Sequence, residues 1–292
     1  MFDRRAIARA FGRAADRYSD RAVVQAEVAN RLLERLEGLR FEPATVVDLG
    51  SGPGLQSAEL ARRFPAAKVV ALDLALPMLH QAGARRGWFR KRFERVAADA
   101  NALPLVDASV DLLYSSLMLQ WCTDLPATLN GIRRVMKPGG LVLLSTFGPD
   151  TLCELRQAWR RVDARPHVSA FIDVQTMGDL MMRAGFAEPV LDTDWITSRY
   201  RRPRDLMAEL KAIGATYADH DRGRGLTTPG RLKSVLDFYE TFRRDDGLYP
   251  ATWEVVYASA WAPQEGAPIR GLHGEEATVS VSSIGRRRRN DE

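Results

Sequence analysis

The chain has 292 residues, of which 46% are hydrophobic, and a formal net charge of +5. This content supports a sizeable core, and no apolar run approaches the roughly 18 residues of a membrane span. The amino terminus lacks the apolar segment of a secretory signal, and two distant cysteines without a C-x-x-C motif favour a reducing, cytoplasmic compartment. Four scattered histidines lack metal-ligand spacing, so we predict no metal site and no membrane insertion.

Hydrophobic periodicity predicts alternating helices and strands along most of the chain. Two helices, near residues 3–17 and 20–38, precede the first strand. The alternation that follows predicts a parallel sheet with right-handed crossovers. The predicted strands are 45–49, 68–73, 93–98, 109–116, 140–147, 186–196 and 252–261. The predicted helices between them are 54–64, 75–86, 124–136, 150–163, 174–184, 203–213 and 228–243.

A glycine-rich loop follows the first predicted strand. Asp48 closes an apolar, β-branched run, and Gly50, Gly52 and Gly54 precede a helical pattern. Glycines in this position let the backbone approach a ligand at a helix N terminus. The G-x-G-x-G spacing differs from the dinucleotide fingerprint G-x-G-x-x-G, and the phosphate-loop motif G-x-x-x-x-G-K-[ST] is absent. Because Asp48 would repel a phosphate, the loop favours a nucleoside with a cationic or neutral tail.

Two further acids follow neighbouring predicted strands. Asp73 ends the second strand, where a carboxylate accepts hydrogen bonds from ribose hydroxyls or caps the next helix. Asp99 follows the third strand and is placed to accept from an adenine amino group, with Ala100 beside it. Ligands of such sheets bind beyond the carboxyl ends of the strands, so these acids and Asp48 are predicted to lie together.

These ordered elements resemble the class I S-adenosylmethionine (SAM) methyltransferases. The resemblance rests on the loop at 46–54, the acids at 73 and 99, the buried run 109–116, and the helix end, Pro-Gly turn and strand at 134–145. It implies SAM as cofactor and S-adenosylhomocysteine as product. The cofactor-binding residues that it implies are Asp48, Gly50, Ser51, Gly52, Gly54, Asp73, Leu74, Met78, Asp99, Ala100 and Ser116.

The same resemblance implies an α/β fold with a seven-stranded, mostly parallel Rossmann-like sheet and an antiparallel edge strand. Strands six and seven are usually joined by a short turn, whereas residues 197–251 intervene here. We interpret this insertion as a helical lid over the cofactor cleft; the alternative is a helical pair remote from the site. The predicted units are an N-terminal helical cap at 1–40, a SAM-binding domain at 41–198, a lid at 199–249, a final strand at 250–262 and a flexible tail at 263–292.

Six further segments resemble one family more specifically. They are Phe11–Tyr18 with Gln25, Leu119–Cys122, Ser145–Leu152, Arg165–Phe171, Leu210–Thr216 and Trp253–Tyr257. Together they resemble the malonyl-[acyl-carrier protein] O-methyltransferases of biotin synthesis, from about residue 3 to 262. The resemblance implies methylation of the free carboxylate of a malonyl thioester, which masks its charge so that the chain can be extended toward pimeloyl.

The reaction class limits which residues the site needs. Methyl transfer from a sulfonium is an in-line displacement, which depends on positioning and desolvation. A carboxylate is already ionised at neutral pH and needs no base. The predicted catalytic residues are Tyr18, Gln120 and Trp121, although Tyr18 and Trp121 have packing as an alternative role.

Three residues are predicted to bind the substrate. A malonyl carboxylate needs an orienting cation, for which Lys211 is the first candidate and Arg199 the second. His167, in a loop after a helix, is expected either to contact substrate or to cap backbone.

A basic helix face bears on the choice of partner. Arg5, Arg9, Arg13 and Arg17 are spaced by four and therefore share one face, which is either simply solvated or a dock for an acidic protein. Basic residues at 199–204 form a second basic face. The predicted partner is malonyl-loaded acyl carrier protein, or malonyl-coenzyme A. No aromatic interleaving supports nucleic acid.

Three rival functions remain open from the sequence. Residues 147–156 also resemble a mitochondrial complex I assembly factor that looks like a protein-arginine hydroxylase, but Lys211 with the following Ile-Gly-Ala-Thr favours the biotin enzymes. A methyltransferase of a quinone or another small carboxylic acid would not need the basic faces. A non-catalytic SAM-binding module is disfavoured because the cofactor motifs are complete.

Overall fold

The computed structural model describes residues 3–84, 93–215, 227–266, 269–271 and 274–276. Its helices are α1 (Arg4–Arg21), α2 (Val23–Glu34), α3 (Leu55–Arg63), α4 (Leu76–Ala84), α5 (Leu125–Val135), α6 (Cys153–Arg160), α7 (Val174–Arg183), α8 (Pro203–Ala212) and α9 (Pro229–Tyr239). Its strands are β1 (Thr45–Leu49), β2 (Lys68–Asp73), β3 (Glu94–Ala97), β4 (Val110–Ser116), β5 (Met136–Phe147), β6 (Ala187–Tyr200), β7 (Tyr249–Trp261), β8 (Ile269–Gly271) and β9 (Gly274–Glu276).

The main sheet has seven strands in the order β3-β2-β1-β4-β5-β7-β6. Strands β1 to β5 are parallel, and β7 runs antiparallel to both β5 and β6. The predicted α/β fold and its antiparallel pair at one edge are confirmed, with β6 as the edge strand. The chain reverses its direction across the sheet between β1 and β4, and ligands of open α/β sheets bind at the carboxyl ends of such strands.

Two apolar layers cover the sheet. Val28 and Leu32 of α2, with Leu60 of α3, pack on one face. Ile132 of α5 and Met177 of α7 pack on the other. Strands with both faces covered are expected to be apolar along their whole length, which is why β1, β2 and β4 read as continuous β-branched and leucine runs.

Several element boundaries differ from those predicted. Strand β5 begins at Met136 rather than residue 140, because Met136 pairs with Val110 of β4, and the Lys-Pro-Gly-Gly segment forms the irregularity before Leu141 pairs with Leu112. Strand β6 extends to Tyr200, and strand β7 begins at Tyr249, because these two residues pair with each other. The second helix of the insertion ends at Tyr239 and continues as a single 3₁₀ turn to Phe242. Pairing partners distant in sequence set these ends, and local periodicity does not report them.

The insertion between β6 and β7 packs on two other elements. Its helix α8 contacts α1, and α9 contacts α6 and α8. After α8, Gly214 has φ of 79°, and a Cβ built there would lie 3.0 Å from the carbonyl oxygen of Ala10. Residues 216–226 of the predicted lid, and most of the predicted flexible tail, lie outside the described residues. The predicted domain boundaries stay predictions.

Two absences hold for the residues that the structure describes. None of their helices combines the length and apolarity needed to cross a membrane. No group of three or more His, Cys, Asp or Glu side chains among them is placed to hold a metal ion.

Candidate active site

A main cavity lies beyond the carboxyl ends of β1, β2 and β4, with α1 and the end of α8 over it. It measures about 990 Å³ with its open mouth included. An inner recess of about 550 Å³ adjoins it and shares Tyr18, Gln25, Gly50, Gly52 and Ser116 with its wall. The glycine loop, β-strand ends and cap helix predicted to form a ligand site therefore surround one continuous space.

The glycine loop needs its glycines at two positions. Gly50 has φ of 77°, and a Cβ there would lie 2.4 Å from Met118 Cγ. Gly54, with φ of 76°, would place a Cβ 2.7 Å from that of Ala82 on α4. Left-handed backbone and this close approach both exclude larger residues. Gly50 and Gly52 line the main cavity, whereas Gly54, at the N-cap of α3, lets the start of this helix pack closely on α4.

Asp73 ends β2 and faces the main cavity. Its Oδ2 accepts from the backbone N–H of Gly52 at 2.8 Å, and its Oδ1 accepts from that of Ala75 at 2.7 Å. Burial raises the pKa of Asp73, although the hydrogen bonds from the Ala75 and Gly52 backbones oppose the shift. The carboxylate therefore caps the segment leading into α4 and also presents a cavity-facing acceptor, so both predicted roles coexist in the geometry.

Asp48 lies in the wall of the inner recess at 2% exposure. Ser57 donates its hydroxyl to Asp48 Oδ2 at 2.5 Å. Burial raises the pKa of Asp48 to about 7; the Ser57 hydrogen bond opposes this shift and the charge of Asp73 adds to it. Ser51 also lines the recess, and its buried Oγ has no hydrogen-bond partner among the described residues. Such groups favour a ligand that brings a cation to Asp48 and a polar atom to Ser51.

Asp99 also lines the main cavity. It accepts from the backbone N–H of Asn101 at 2.9 Å and from Arg4 Nη1 at 2.5 Å. Burial works to raise the pKa of Asp99, but the hydrogen bonds from Asn101 and Arg4 outweigh it and hold the pKa below its usual value. Four further predicted residues, Leu74, Met78, Ala100 and Ser116, line the same cavity.

One part of the main cavity wall is mostly aromatic and contains Tyr18, Gln120 and Trp121. Phe11 packs edge-on against Trp121 with ring centroids 5.2 Å apart, and its ring lies 6.3 Å from that of Tyr18. Thr146 donates its hydroxyl to Gln120 Oε1 at 3.3 Å. Burial, with a smaller contribution from the charge of Asp73, raises the pKa of Tyr18 above its ordinary value. Tyr18 therefore stays protonated at neutral pH and can donate a hydrogen bond.

A side chamber of about 530 Å³, mouth included, opens from this point. It shares Gln120, Trp121, Phe147 and Ala215 with the main cavity. The rest of its wall is mostly apolar and comes from α6, α8, β7 and the loop before α7: Leu152, Leu155, His167, Val168, Ser169, Phe171, Leu210 and Trp253. A second molecule in this chamber would meet a ligand of the main cavity at Gln120 and Trp121.

The three predicted substrate-binding residues are not brought together. His167 lines the side chamber. Lys211 is exposed in the last turn of α8, and Arg199 is exposed on β6, where its Nη1 lies 3.1 Å from Asp246 Oδ2. Neither cation contributes to the wall of the three cavities described above.

Sequence reasoning did not select several wall residues, of which Arg4, Phe11, Gln25 and Phe147 contribute most to the geometry above. Arg4, Ala8, Phe11 and Tyr18 recur at helical spacing and form the cavity-facing stripe of α1, next to its arginine face. Their helical spacing was the sequence signal that could have identified them as cavity-lining residues. Phe147 and Gln25 stood in family-like segments without an assigned role.

Comparison with known proteins decides the family. The chain is 47% identical to a malonyl-[acyl-carrier protein] O-methyltransferase of Halorhodospira halophila over 288 residues, covering 98% of this chain and 97% of the relative. A protein of the same name from Gallionella capsiferriformans is 46% identical over 268 residues, covering 90% and 92%. The chain belongs to the malonyl-[acyl-carrier protein] O-methyltransferase family.

Two further matches agree. Residues 47–144 match the family model described as a methyltransferase domain. The crystal structure of BH2331 from Bacillus halodurans, a candidate methyltransferase, superposes with a TM-score of 0.59 at 18% identity, covering 82% of this chain and 100% of that one. This structural likeness shows the fold alone.

Family membership makes the chain a SAM-dependent methyltransferase, as predicted, and the cavity fits that cofactor. Glycines leave space for a close backbone approach, and Asp73 and Asp99 offer acceptors along the main cavity. The recess is lined by Asp48 and by Ser51, whose Oγ has no partner among the described residues. The cationic groups of SAM suit the buried Asp48 carboxylate of the recess. The arginine-hydroxylase alternative is not favoured, because the relatives are named O-methyltransferases.

Proposed function

We propose that this enzyme methylates the free carboxylate of a malonyl thioester carried by acyl carrier protein, or by coenzyme A. The relatives' name specifies malonyl-[acyl-carrier protein] as what they act on. The observation that supports the same substrate class here is the side chamber, which meets the main cavity at Gln120 and Trp121. The methyl ester would prime pimeloyl formation in biotin synthesis, in the cytoplasm.

The main cavity holds SAM in this proposal. Asp99 and Ala100 bind the adenine, Asp73 binds the ribose hydroxyls, and Asp48 with Ser51 binds the methionine end. The remaining predicted cofactor residues shape the same walls. SAM supplies an electrophilic methyl group on a sulfonium. The carboxylates contribute hydrogen bonds and charge. Because they are already held in place, binding requires little rearrangement of the loop.

The protein contributes positioning and water exclusion at the meeting point of the chambers. Tyr18 and Gln120 donate hydrogen bonds that orient the substrate carboxylate, and Trp121 with Phe11 excludes water. A malonyl carboxylate is ionised at neutral pH and needs no base. The raised pKa of Tyr18 agrees with a donor role and excludes it as a base at neutral pH. Holding the two reactants in line is the main source of rate acceleration in such a displacement.

An acidic carrier would dock on the exposed basic surface around the mouth. Arg5, Arg9, Arg13 and Arg17 are all exposed on α1, and Lys211 and Arg199 are exposed on the insertion side. Such charges mainly raise the association rate and are screened by salt. In this arrangement Lys211 and Arg199 serve the carrier or the thioester arm, and His167 serves the arm within the side chamber.

A methyl-transfer assay tests the function. Purified protein and labelled SAM are mixed with malonyl-loaded carrier, and the intact mass of the carrier is followed. We expect a gain of one methyl ester that is absent with acetyl-loaded carrier, and a higher KM for Lys211→Ala. Bound SAM without methylation of the malonyl carrier would refute the proposal, and an unchanged Lys211→Ala enzyme would remove that residue from it.

A further inference from the structure

His167 is held in one orientation on the wall of the side chamber. Its Nε2 lies 2.9 Å from Asp163 Oδ1. Its ring stacks on Trp159 with centroids 3.7 Å apart and an interplanar angle of 10°. The other ring nitrogen, Nδ1, has no hydrogen-bond partner among the residues that the structure describes. A polar ring fixed by two contacts in a mostly apolar wall has the features of an orienting group in a ligand site.

Asp163 is itself fixed as a carboxylate. Its Oδ1 accepts from the backbone N–H of Arg165 at 3.0 Å, and Arg231 of α9 lies 3.7 Å from its Oδ2. Burial alone would raise the pKa of Asp163. The hydrogen bonds from His167 and the Arg165 backbone, together with the charge of Arg231, outweigh burial and keep this pKa below its usual value. Asp163 is therefore ionised at neutral pH and can only accept hydrogen bonds.

The carboxylate determines the hydrogen-bonding role of the ring. Because Asp163 only accepts, His167 Nε2 must carry the proton in their hydrogen bond. In the neutral imidazole the proton on Nε2 leaves a lone pair on Nδ1. The neutral ring held in this way offers an acceptor at Nδ1, which takes an N–H donor rather than a carbonyl or a carboxylate.

We propose that His167 Nδ1 accepts a hydrogen bond from the first amide N–H of the pantetheine arm of the acyl thioester, and that Asp163 is the residue that positions it. This inference rests on the proposed function and names the part of the substrate that the side chamber recognises. Malonyl thioesters of carrier protein and of coenzyme A share this arm, so His167 serves both.

The layout of the chamber agrees with this assignment. The reacting carboxylate must lie where the chambers meet, at Gln120 and Trp121, whereas His167 belongs to the side chamber alone. Six bonds separate the malonyl carboxyl carbon from the first amide nitrogen, which corresponds to about 7 Å when extended. The methylene groups between them can pack on Leu155 and Phe171. One polar ring in such a wall then sets how far the arm enters.

A matched pair of small substrates tests the hydrogen bond. The first is the malonyl thioester of N-acetylcysteamine, which has the amide N–H. The second is the S-(2-acetoxyethyl) malonyl thioester, in which an ester oxygen replaces that N–H. We expect the wild-type enzyme to prefer the amide by roughly three- to tenfold in kcat/KM, the range for one neutral hydrogen bond. Each variant is compared with itself on both substrates, so losses from misfolding cancel.

Three variants separate recognition from structure. His167→Phe keeps an aromatic ring for Trp159 but removes the acceptor, and should lose the preference. Asp163→Asn no longer fixes the proton on Nε2 and should reduce the preference without changing SAM affinity. His80→Phe, on the exposed side of α4, is the control and should retain it. A wild-type preference that persists in His167→Phe, or no preference in the wild type, would overturn the inference. Methylation of neither thioester, nor of malonyl carrier, would instead reject the proposed function on which it rests.

Discussion

The raised pKa of Asp48 predicts a pH-dependent affinity for SAM. Asp48 is 2% exposed, and its pKa is raised to about 7, first because of burial and further because of the charge of Asp73. The cationic methionine end of SAM should bind the ionised carboxylate. Below the pKa, only the ionised fraction is competent, and the apparent affinity falls in proportion to it. Between about pH 8 and about pH 6 this fraction falls about tenfold, which is equivalent to about 1.4 kcal/mol.

Other groups near Asp48 do not reverse this trend. Asp73 also has a raised pKa, so its protonation reinforces the loss of affinity at low pH. Tyr114, whose pKa is raised by burial and by the charge of Asp48, stays neutral. Calorimetric titration of SAM without acceptor, over this pH range, measures the effect. Asp48→Asn keeps the size of the side chain and should bind SAM more weakly with a flatter pH profile.

The same substitution should stabilise the protein without cofactor. The folded pKa of Asp48 is above its unfolded value of 3.8, so the unfolded chain releases this proton first. Stability is therefore lost as pH rises from about 4 to about 7, by up to about 4 kcal/mol above that range. Urea unfolding of Asp48→Asn at about pH 8 should show a gain of this sign. A wild-type SAM affinity independent of pH, together with no gain in stability for the variant, would refute the reasoning.

Two glycine substitutions test the walls of the main cavity. Gly50→Ala should weaken SAM binding and lower stability by about 1–2 kcal/mol or more, because it adds left-handed strain and drives a methyl into Met118. Gly38→Ala is its control, because Gly38 shares the positive φ but a Cβ there would meet no atom of the described residues within 4 Å. Equal SAM affinities of the two variants would contradict this account. Gly214→Ala should push α8 from α1, since its Cβ would meet the Ala10 backbone at 3.0 Å, and should raise the SAM dissociation constant. Gly247→Ala is its control in the same calorimetric titration, because among the described residues a Cβ there would approach only the side chain of Arg243. Similar affinities would show that the Gly214 contact does not shape the cavity.

The walls of the main cavity and its recess were largely predictable because their signals are local. The run into Asp48, the glycines after it, and the acids that end β2 and follow β3 each lie within a few residues of a strand end. Parallel strands bring such ends to one edge, so the topology alone gathers them. Ten of the eleven predicted cofactor residues, all except Gly54, line the main cavity or its recess.

The side chamber that we propose for the substrate depends on contacts that no local pattern reports. The side chamber is assembled from α6, α8, β7 and the loop around His167, whose residues are distant in sequence. A cation on a helix or an edge strand faces the chamber or the solvent according to how that element packs. Lys211 and Arg199 were chosen for their charge, but the packing of α8 against α1 and the outward position of Arg199 on β6 leave both exposed. His167 was harder to interpret from sequence because the role that we propose for it depends on Asp163, which contacts the ring and has no motif of its own. Charge and motif therefore predict which chemistry is needed, whereas tertiary packing decides which of the matching residues can perform it.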